Sequence, residues 1–201
     1  MTRKLALLTL AVAILGLPAC GSTLPNYDYG SEPDPRTREY VLGISDELAV
    51  NVWKNPDLST ASTIRPDGTI TMPLIGDLKA AYKTPSQLKT EIETRLKDFI
   101  KLEGTAVTVS VTAVNSYRFT VSGEVVRPGI FAANQYTTVA DAIALAGGFT
   151  RFAKRDSLSI QRRDAKTGEV RKIPIAYSAI ASGNRPEMNL VLLAGDSVHV
   201  P

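Results

Sequence analysis

Residues 117–148, YRFTVSGEVVRPGIFAANQYTTVADAIALAGG, contain in one run the local signals of a small α+β unit. Phe119, Val121 and Gly123 alternate with Arg118, Thr120 and Ser122, the period of a half-buried strand. Pro128-Gly129 predicts a tight turn, with Pro fixing φ at its second position and Gly tolerating positive φ at its third. Ile130 and Phe131 begin a return strand. Thr138 is placed to cap a helix whose Val139, Ala142, Ile143 and Ala146 share a face, and Gly147-Gly148 ends it in a left-handed cap. The stretch holds no nucleophile, metal cluster or phosphate loop. It reads as a unit that binds or assembles.

Downstream, Leu158 and Ile160 alternate with Ser157, Ser159 and Gln161 as a strand. A charged hairpin loop follows over Arg162 to Gly168, and Val170 to Ile175 returns. Ala176 to Arg185 reads as one helical turn and a loop, and Leu190 to Pro201 closes the sheet through a turn at Ala194-Gly195-Asp196. Upstream, Leu48, Val50 and Val52 alternate with Ala49, Asn51 and Trp53. Pro66-Asp67-Gly68 predicts a hairpin between Ile64 and Ile70, because Asp-Gly is a strong hairpin signal. Thr84-Pro85-Ser86-Gln87 has the form of a capping box with Pro at the first helical position. Leu88, Ile92, Leu96, Phe99 and Ile100 then lie on one helical face, and Gly104 ends the helix. Val107, Val109 and Val111 follow as a strand.

The chain of 201 residues, 44% hydrophobic and 21% charged, is long enough for one or two small domains with their own cores. Its formal charge of +3 includes Arg3 and Lys4, which open a signal peptide. Without them 21 basic residues face 20 acidic ones, so there is no electrostatic case for a nucleic-acid partner. The apolar run from Leu5 to Gly16 is short for a spanning helix, which needs about 20 residues. Leu17-Pro18-Ala19-Cys20 resembles a bacterial lipobox, which implies cleavage between Ala19 and Cys20 and acylation of Cys20, the single cysteine. Gly21, where an Asp would favour the inner membrane, implies the outer membrane. The segment 20–37, with Gly, Ser, Pro and acidic residues, reads as an extended lipidated tether.

Val121 to Val125, Pro128-Gly129, Thr138 to Ile143 and Ala146 to Gly148 resemble an SLBB domain, a soluble-ligand-binding β-grasp module. Tyr40 to Leu42, Asp46 to Val52, Pro56 to Ser59, Arg65 to Ile70, Pro73 to Gly76 and the helix after Thr84 resemble a polysaccharide export (PES) domain. Ser45-Asp46 departs from the Gly-Asp usual in the family. Together the two halves resemble the bacterial outer-membrane polysaccharide export proteins. The resemblance implies an α+β chain: a signal peptide over 1–19, a tether over 20–37, a small mixed α/β PES domain over 38–114 and an SLBB-like β-grasp domain over 117–201. It also implies structural roles for Asp46, Asp67, Gly68, Pro73, Gly76, Gly123, Pro128, Gly129, Gly147 and Gly148. The implied function is export of capsular or extracellular polysaccharide by a lipoprotein facing the periplasm. The implied partners are further copies in a ring, an inner-membrane co-polymerase with a tyrosine-kinase-like part, and the polysaccharide. No segment after Cys20 is long and apolar enough to span a bilayer. The resemblance is therefore to a short form, working with a separate outer-membrane β-barrel or forming only the periplasmic part of the conduit. The alternative is a periplasmic glycan-binding lipoprotein that regulates export.

Enzymatic readings are poor. Asp46 with Glu47, or Asp67 with Asp77, could be paired for glycoside hydrolysis, but their strand-entry and turn positions suit local hydrogen bonding better. His199 lacks a His/Cys cluster for zinc, and no cofactor is implied. Trp53 reads as a core residue, with sugar stacking as the other reading. Arg151, Lys154, Arg155, Arg162, Arg163, Arg171 and Lys172 make the second half locally basic. They read either as a surface for acidic polysaccharide or a partner, with Arg151 and Arg155 as candidate contacts, or as a solvated loop.

Overall fold

Alternation between Leu48, Val50 and Val52 and their neighbours produces a strand, β1 (Glu47–Val52), with those three side chains buried. The computed structural model, which describes residues 24–100, 107–164 and 167–201, places β1 in the middle of an antiparallel sheet. Its neighbours are β2 (Thr60–Thr63) and β5 (Val107–Ala113), with Val50 opposite Val109 and Val52 opposite Val107. A second small sheet pairs β3 (Thr69–Met72) with β4 (Gly76–Lys79). The helix α1 (Pro85–Leu96) packs on β5 and drives Leu88, Ile92 and Leu96 into the same core. Its capping box is complete: Thr84 Oγ1 accepts from Gln87 N at 3.2 Å, and Gln87 Oε1 accepts from Thr84 N at 3.0 Å.

Three local expectations fail here. The Asp67-Gly68 turn closes as expected, Gly68 N donating to Arg65 O, but the strands it joins do not pair with each other. β2 joins β1 and β3 joins β4, so the turn links two sheets and the hairpin lies one connection later, over Pro73-Leu74-Ile75. Hydrophobic demand on both sides of the turn outweighs the local hairpin signal. The helix ends at Leu96, not near Gly104, which lies outside the described residues. Phe99 N and Ile100 N both donate to Leu96 O, which tightens the turn and leaves Phe99 57% exposed while Ile100 stays partly buried. Trp53 is 69% exposed and not in the core, because it follows Ala49 and Asn51 on the face opposite the buried Leu48, Val50 and Val52, and the chain turns away through Lys54 at φ 59°.

The second core is covered by a five-stranded mixed sheet. Its strands are β6 (Arg118–Gly123), β7 (Gly129–Ala132), β8 (Leu158–Arg163), β9 (Val170–Ile175) and β10 (Ser197–Val200), in the order β7-β6-β10-β8-β9. The last strand in sequence is thus central in space, parallel to β6 and antiparallel to β8. The sheet curves around α2 (Val139–Leu145), whose Val139, Ala142 and Ile143, with Ala146, are buried against Phe119, Ile160 and Val198. Gly148 N donates to Ile143 O and Gly147 N to Ala144 O, the two bonds of a Schellman stop, with both glycines at positive φ. The short helix α3 (Tyr177–Ala181) follows β9.

Pro128-Gly129 does not make the turn expected of it. Gly129 opens β7 without positive φ, and the reversal begins at Gly123, φ 88°. A Cβ at Gly123 would sit 1.9 Å from Val200 O, the carbonyl that accepts from Glu124 N. Gly123→Ala therefore combines left-handed strain with a backbone clash in the centre of the sheet. We expect it to lower unfolding stability by about 3 kcal/mol, read as a shift of the urea midpoint.

The segment expected as a tether is docked where it is described. Tyr29 is 4% exposed within the second core and donates to Pro174 O at 2.6 Å. Glu32 is buried and meets Arg162, which belongs to β8 and not to a solvated loop. Two tyrosine rings and a carboxylate that finds a buried guanidinium give this segment a binding energy that its composition conceals. The segment expected to be a signal peptide, and Cys20, lie outside the described residues.

Candidate functional site

The site with the densest polar construction is the junction of the two domains. Asp46, fully buried, ends the turn before β1 and accepts five hydrogen bonds. Its Oδ1 takes Asn115 N at 2.9 Å and Ser116 N at 2.8 Å. Its Oδ2 takes Gly43 N at 2.8 Å, the Tyr40 hydroxyl at 2.7 Å and Ser116 Oγ at 3.0 Å. A first-domain carboxylate thus holds both backbone amides of the connection between β5 and β6. The approach is close enough that a Cβ on Gly43 would lie 2.3 Å from the Ser116 side chain. Ser45, where the family's glycine is replaced, has φ 75°, so the turn keeps a glycine-like backbone without the glycine.

A second buried polar cluster fastens the N-terminal segment to the second domain. Arg162, 2% exposed, donates Nε and Nη2 to the Asp196 carboxylate, with the shortest contact 2.6 Å, and Nη1 to Glu32 Oε2 at 2.9 Å. Burial alone would lower its pKa, but the hydrogen bonds and charges of Asp196 and Glu32 raise it above the ordinary arginine value. Arg171 and the Tyr27 hydroxyl complete Glu32 from the solvent side.

Beside the Asp46 junction opens a cleft of about 470 Å³. Tyr40, Tyr117 and Tyr136 line it with Arg38, Val41 and Leu193. Tyr117 and Tyr136 meet edge to face at 5.7 Å, and Tyr117 Oη donates to Leu192 O and accepts from Thr137 N. The cleft offers aromatic faces with polar groups at the rim, chemistry suited to a sugar ring and not to bond cleavage. Nothing in the periodicity marked these tyrosines, although Tyr40, Tyr117 and Tyr136 all lie near the ends of predicted elements, where a junction has to form.

Burial pushes the hydroxyls of Tyr29, Tyr40, Tyr117 and Tyr136 above the ordinary tyrosine range. Tyr27 rises from 10.0 to about 12 through burial and its bond to Glu32. A folded-state pKa above the unfolded one gives stability that is fully present below pH 10.0 and is lost as pH rises toward about 12. The expected result is a urea midpoint that falls between about pH 10 and about pH 12 as tyrosinate absorbance rises.

The other candidates are dispersed. Asp67 and Asp77 are exposed, bridged by Arg65 at 3.3 and 2.8 Å, and held below the usual carboxylate range by bonds from Thr69 and Thr71 respectively, with Arg65 adding to both. They latch the β3–β4 hairpin, and neither is set up as a general acid. Gly68 sits in a turn and Gly76 opens β4, both at positive φ, and Pro73 O accepts from Ile75 N. Pro128 precedes β7. Trp53 stands on the first domain, whereas Arg151 and Arg155 lie on the second, over the rings of Phe152 and Phe149 at 4.7 and 5.4 Å. His199 lies on the central strand, 3.2 Å from Ser122 Oγ. Among the described residues no group of three or more His, Cys, Asp or Glu side chains could hold a metal ion.

The described residues thus form two joined units, an antiparallel α/β unit and a β-grasp unit. Residues 34–112 match the family described as polysaccharide biosynthesis/export protein, and residues 118–174 match the SLBB domain. The chain belongs to the polysaccharide export protein family. It is 30% identical to the exopolysaccharide production protein ExoF of Rhizobium meliloti, over 75% of this chain and 35% of that one. It is 27% identical to the EPS I polysaccharide export outer membrane protein EpsA of Ralstonia nicotianae, over 80% and 47%. It is 26% identical to the capsule polysaccharide export outer membrane protein CtrA of Neisseria meningitidis, over 79% and 43%. The chain spans between about a third and a half of the length of these relatives. The SLBB match stops at 174, whereas the fold needs β10 and Asp196 to complete the sheet and its ion pair.

Proposed function

We propose that this protein serves in the export of capsular or extracellular polysaccharide as a lipid-anchored, periplasm-facing component of an oligomeric conduit at the outer membrane. The observation that carries the reading is the pairing of the two family domains in one chain, held at a fixed junction by Asp46. A rigid two-domain block is what a closed ring of repeated head-to-tail contacts requires. Acylated Cys20 holds the block to the membrane. An inner-membrane co-polymerase with a tyrosine-kinase-like part delivers polymer, and a separate outer-membrane β-barrel completes the path. No helix among the described residues is long and apolar enough to cross a membrane.

The tyrosine-lined cleft favours a second reading, in which the protein binds glycan and regulates export without forming the conduit. Deleting the gene and assaying polymer at the cell surface and in the periplasm tests the export role. The expected result is loss of surface polymer that a Cys20→Ala copy does not restore. Unchanged surface polymer would remove the export reading. Native mass of the lipidated protein in detergent separates the two readings: a ring supports the conduit, and a monomer that binds glycan supports the regulator.

A further inference from the structure

The end of the second domain opposite the junction carries an exposed apolar cluster set in basic residues. β6 leaves the junction at Arg118 and reaches this end at Gly123. There Val126 N donates to Gly148 O, Arg127 N to Ala146 O, and Arg127 Nη2 to Leu145 O, so the loop after β6 lies against the end of α2. The Val125–Phe149 bridge and the Thr150 N–Glu124 O bond bring the segment around Phe152 to the same end. Val126, Leu145 and Phe152 are 58%, 44% and 66% exposed.

Arg127, Arg151, Lys154 and Arg155 are exposed around them, and Arg151 lies over the Phe152 ring at 4.7 Å. Of the acidic residues of this end, half-buried Glu124 accepts from Thr150 Oγ1, and exposed Asp156 accepts from Ser178. The exposed cations Arg127, Arg151, Lys154 and Arg155 outnumber these carboxylates, so the outward charge is positive. Protruding apolar side chains ringed by arginine and lysine are the composition that settles into a bilayer interface, the rings entering the headgroup layer while the cations meet phosphate.

We propose that this end of the second domain is a membrane contact in its own right, lying against anionic phospholipid headgroups. The proposal rests on the membrane-anchored reading above, and the chain length allows both contacts at once. Seven residue steps lead from Cys20 to Tyr27 and can span up to about 25 Å. The length of β8, which separates the Glu32–Arg162 clasp from this end, is about 20 Å. Two attachments would hold the domain upright on the membrane, where a single lipidated tether would leave it free to tilt.

The test uses the mature chain, residues 20–201, carrying Cys20→Ser so that no acyl group contributes, and therefore does not depend on lipidation. Cosedimentation is measured with vesicles of phosphatidylethanolamine and phosphatidylglycerol, and with vesicles of phosphatidylcholine alone. The expected result is binding to the anionic vesicles that weakens with salt, and little binding to the neutral ones. The Arg151→Gln/Lys154→Gln pair should weaken binding about thirtyfold, and Phe152→Ser should weaken it with its unfolding midpoint unchanged. No binding to anionic vesicles, equal binding to both kinds, or variants that bind like the parent would overturn the proposal. So would variants that disperse an oligomer while vesicle binding persists, which would make this end a contact between copies. Loss of surface polymer on gene deletion is read independently, so failure here and failure of the export reading remain distinguishable.

Discussion

Asp46→Ala is expected to lower unfolding stability by about 4 kcal/mol and to separate the unfolding of the two domains. The carboxylate is fully buried and accepts five hydrogen bonds, three of them from backbone amides that nothing else is placed to satisfy. Hydrogen bonds to a charged acceptor contribute roughly 1.5–3 kcal/mol each. They are not additive here, because water entering the small cavity left by alanine recovers part of the loss. The two hydrophobic cores are separate clusters, and Asp46 is the polar tie from the first domain to Asn115 and Ser116. Denaturation followed at Trp53, which reports the first domain, and by far-UV circular dichroism, which reports both, should give coincident curves in the parent and displaced curves in the variant. Asp46→Asn makes a finer test. An asparagine oxygen at the Oδ1 position still takes Asn115 N and Ser116 N, while its amide meets the Gly43 N–H donor to donor. We expect about half the loss, near 2 kcal/mol. Equal losses for Ala and Asn would mean that the carboxylate's charge, and not its hydrogen-bond count, holds the junction.

Arg162→Met is expected to cost a similar amount, about 4 kcal/mol, through a different mechanism. Methionine matches the arginine stem in size, so little packing is lost. What remains is two buried carboxylates, Glu32 at 1% and Asp196 at 2% side-chain exposure, without the guanidinium that neutralised both. Removing one partner of a buried pair typically costs 3–5 kcal/mol, whereas replacing all partners by apolar groups is often neutral. Glu32 keeps Arg171 and Tyr27, so the strained side is Asp196, whose Oδ2 also accepts from Leu193 N. The N-terminal segment should loosen, and limited proteolysis should cut between Leu24 and Arg38 in the variant before it cuts elsewhere. Adding Asp196→Asn to Arg162→Met should restore part of the midpoint, since it removes the uncompensated charge and keeps an oxygen for Leu193 N.

The elements visible in the chain are those whose causes are local. The capping boxes at Thr84 and Thr138, the paired glycine stop after Ala146 and the alternation of β1, β6 and β8 each depend on residues within one or two turns of one another. The resemblance to export proteins was legible for the same reason, being spread over short motifs at turns. Three readings failed where distant residues decide. Asp67-Gly68 turns the chain, but which strands pair depends on β1 and β4, residues the turn does not touch. Trp53 continues the alternation of β1 on the Ala49–Asn51 face, which the rest of the chain leaves uncovered, and the chain turns away at Lys54. Arg162, next to a run of charged residues, reads as solvated until Glu32, 130 positions earlier, is placed against it.

The junction and its cleft belong wholly to this second kind. Asp46 at a strand entry has the local reading of a turn residue, and that reading is sound as far as it goes. Its partners at Asn115 and Ser116 are about 70 residues away and contribute backbone amides, which carry no side-chain signature. Tyr40, Tyr117 and Tyr136 form one wall only after β5 returns the chain beside β1 and the second sheet closes on α2. Periodicity reports which face of an element is buried, because burial follows from spacing along one segment. Which elements meet, and which polar groups they share, is set by a minimum over the whole chain, and a central strand formed by the last residues, β10, is decided only when everything before it is in place.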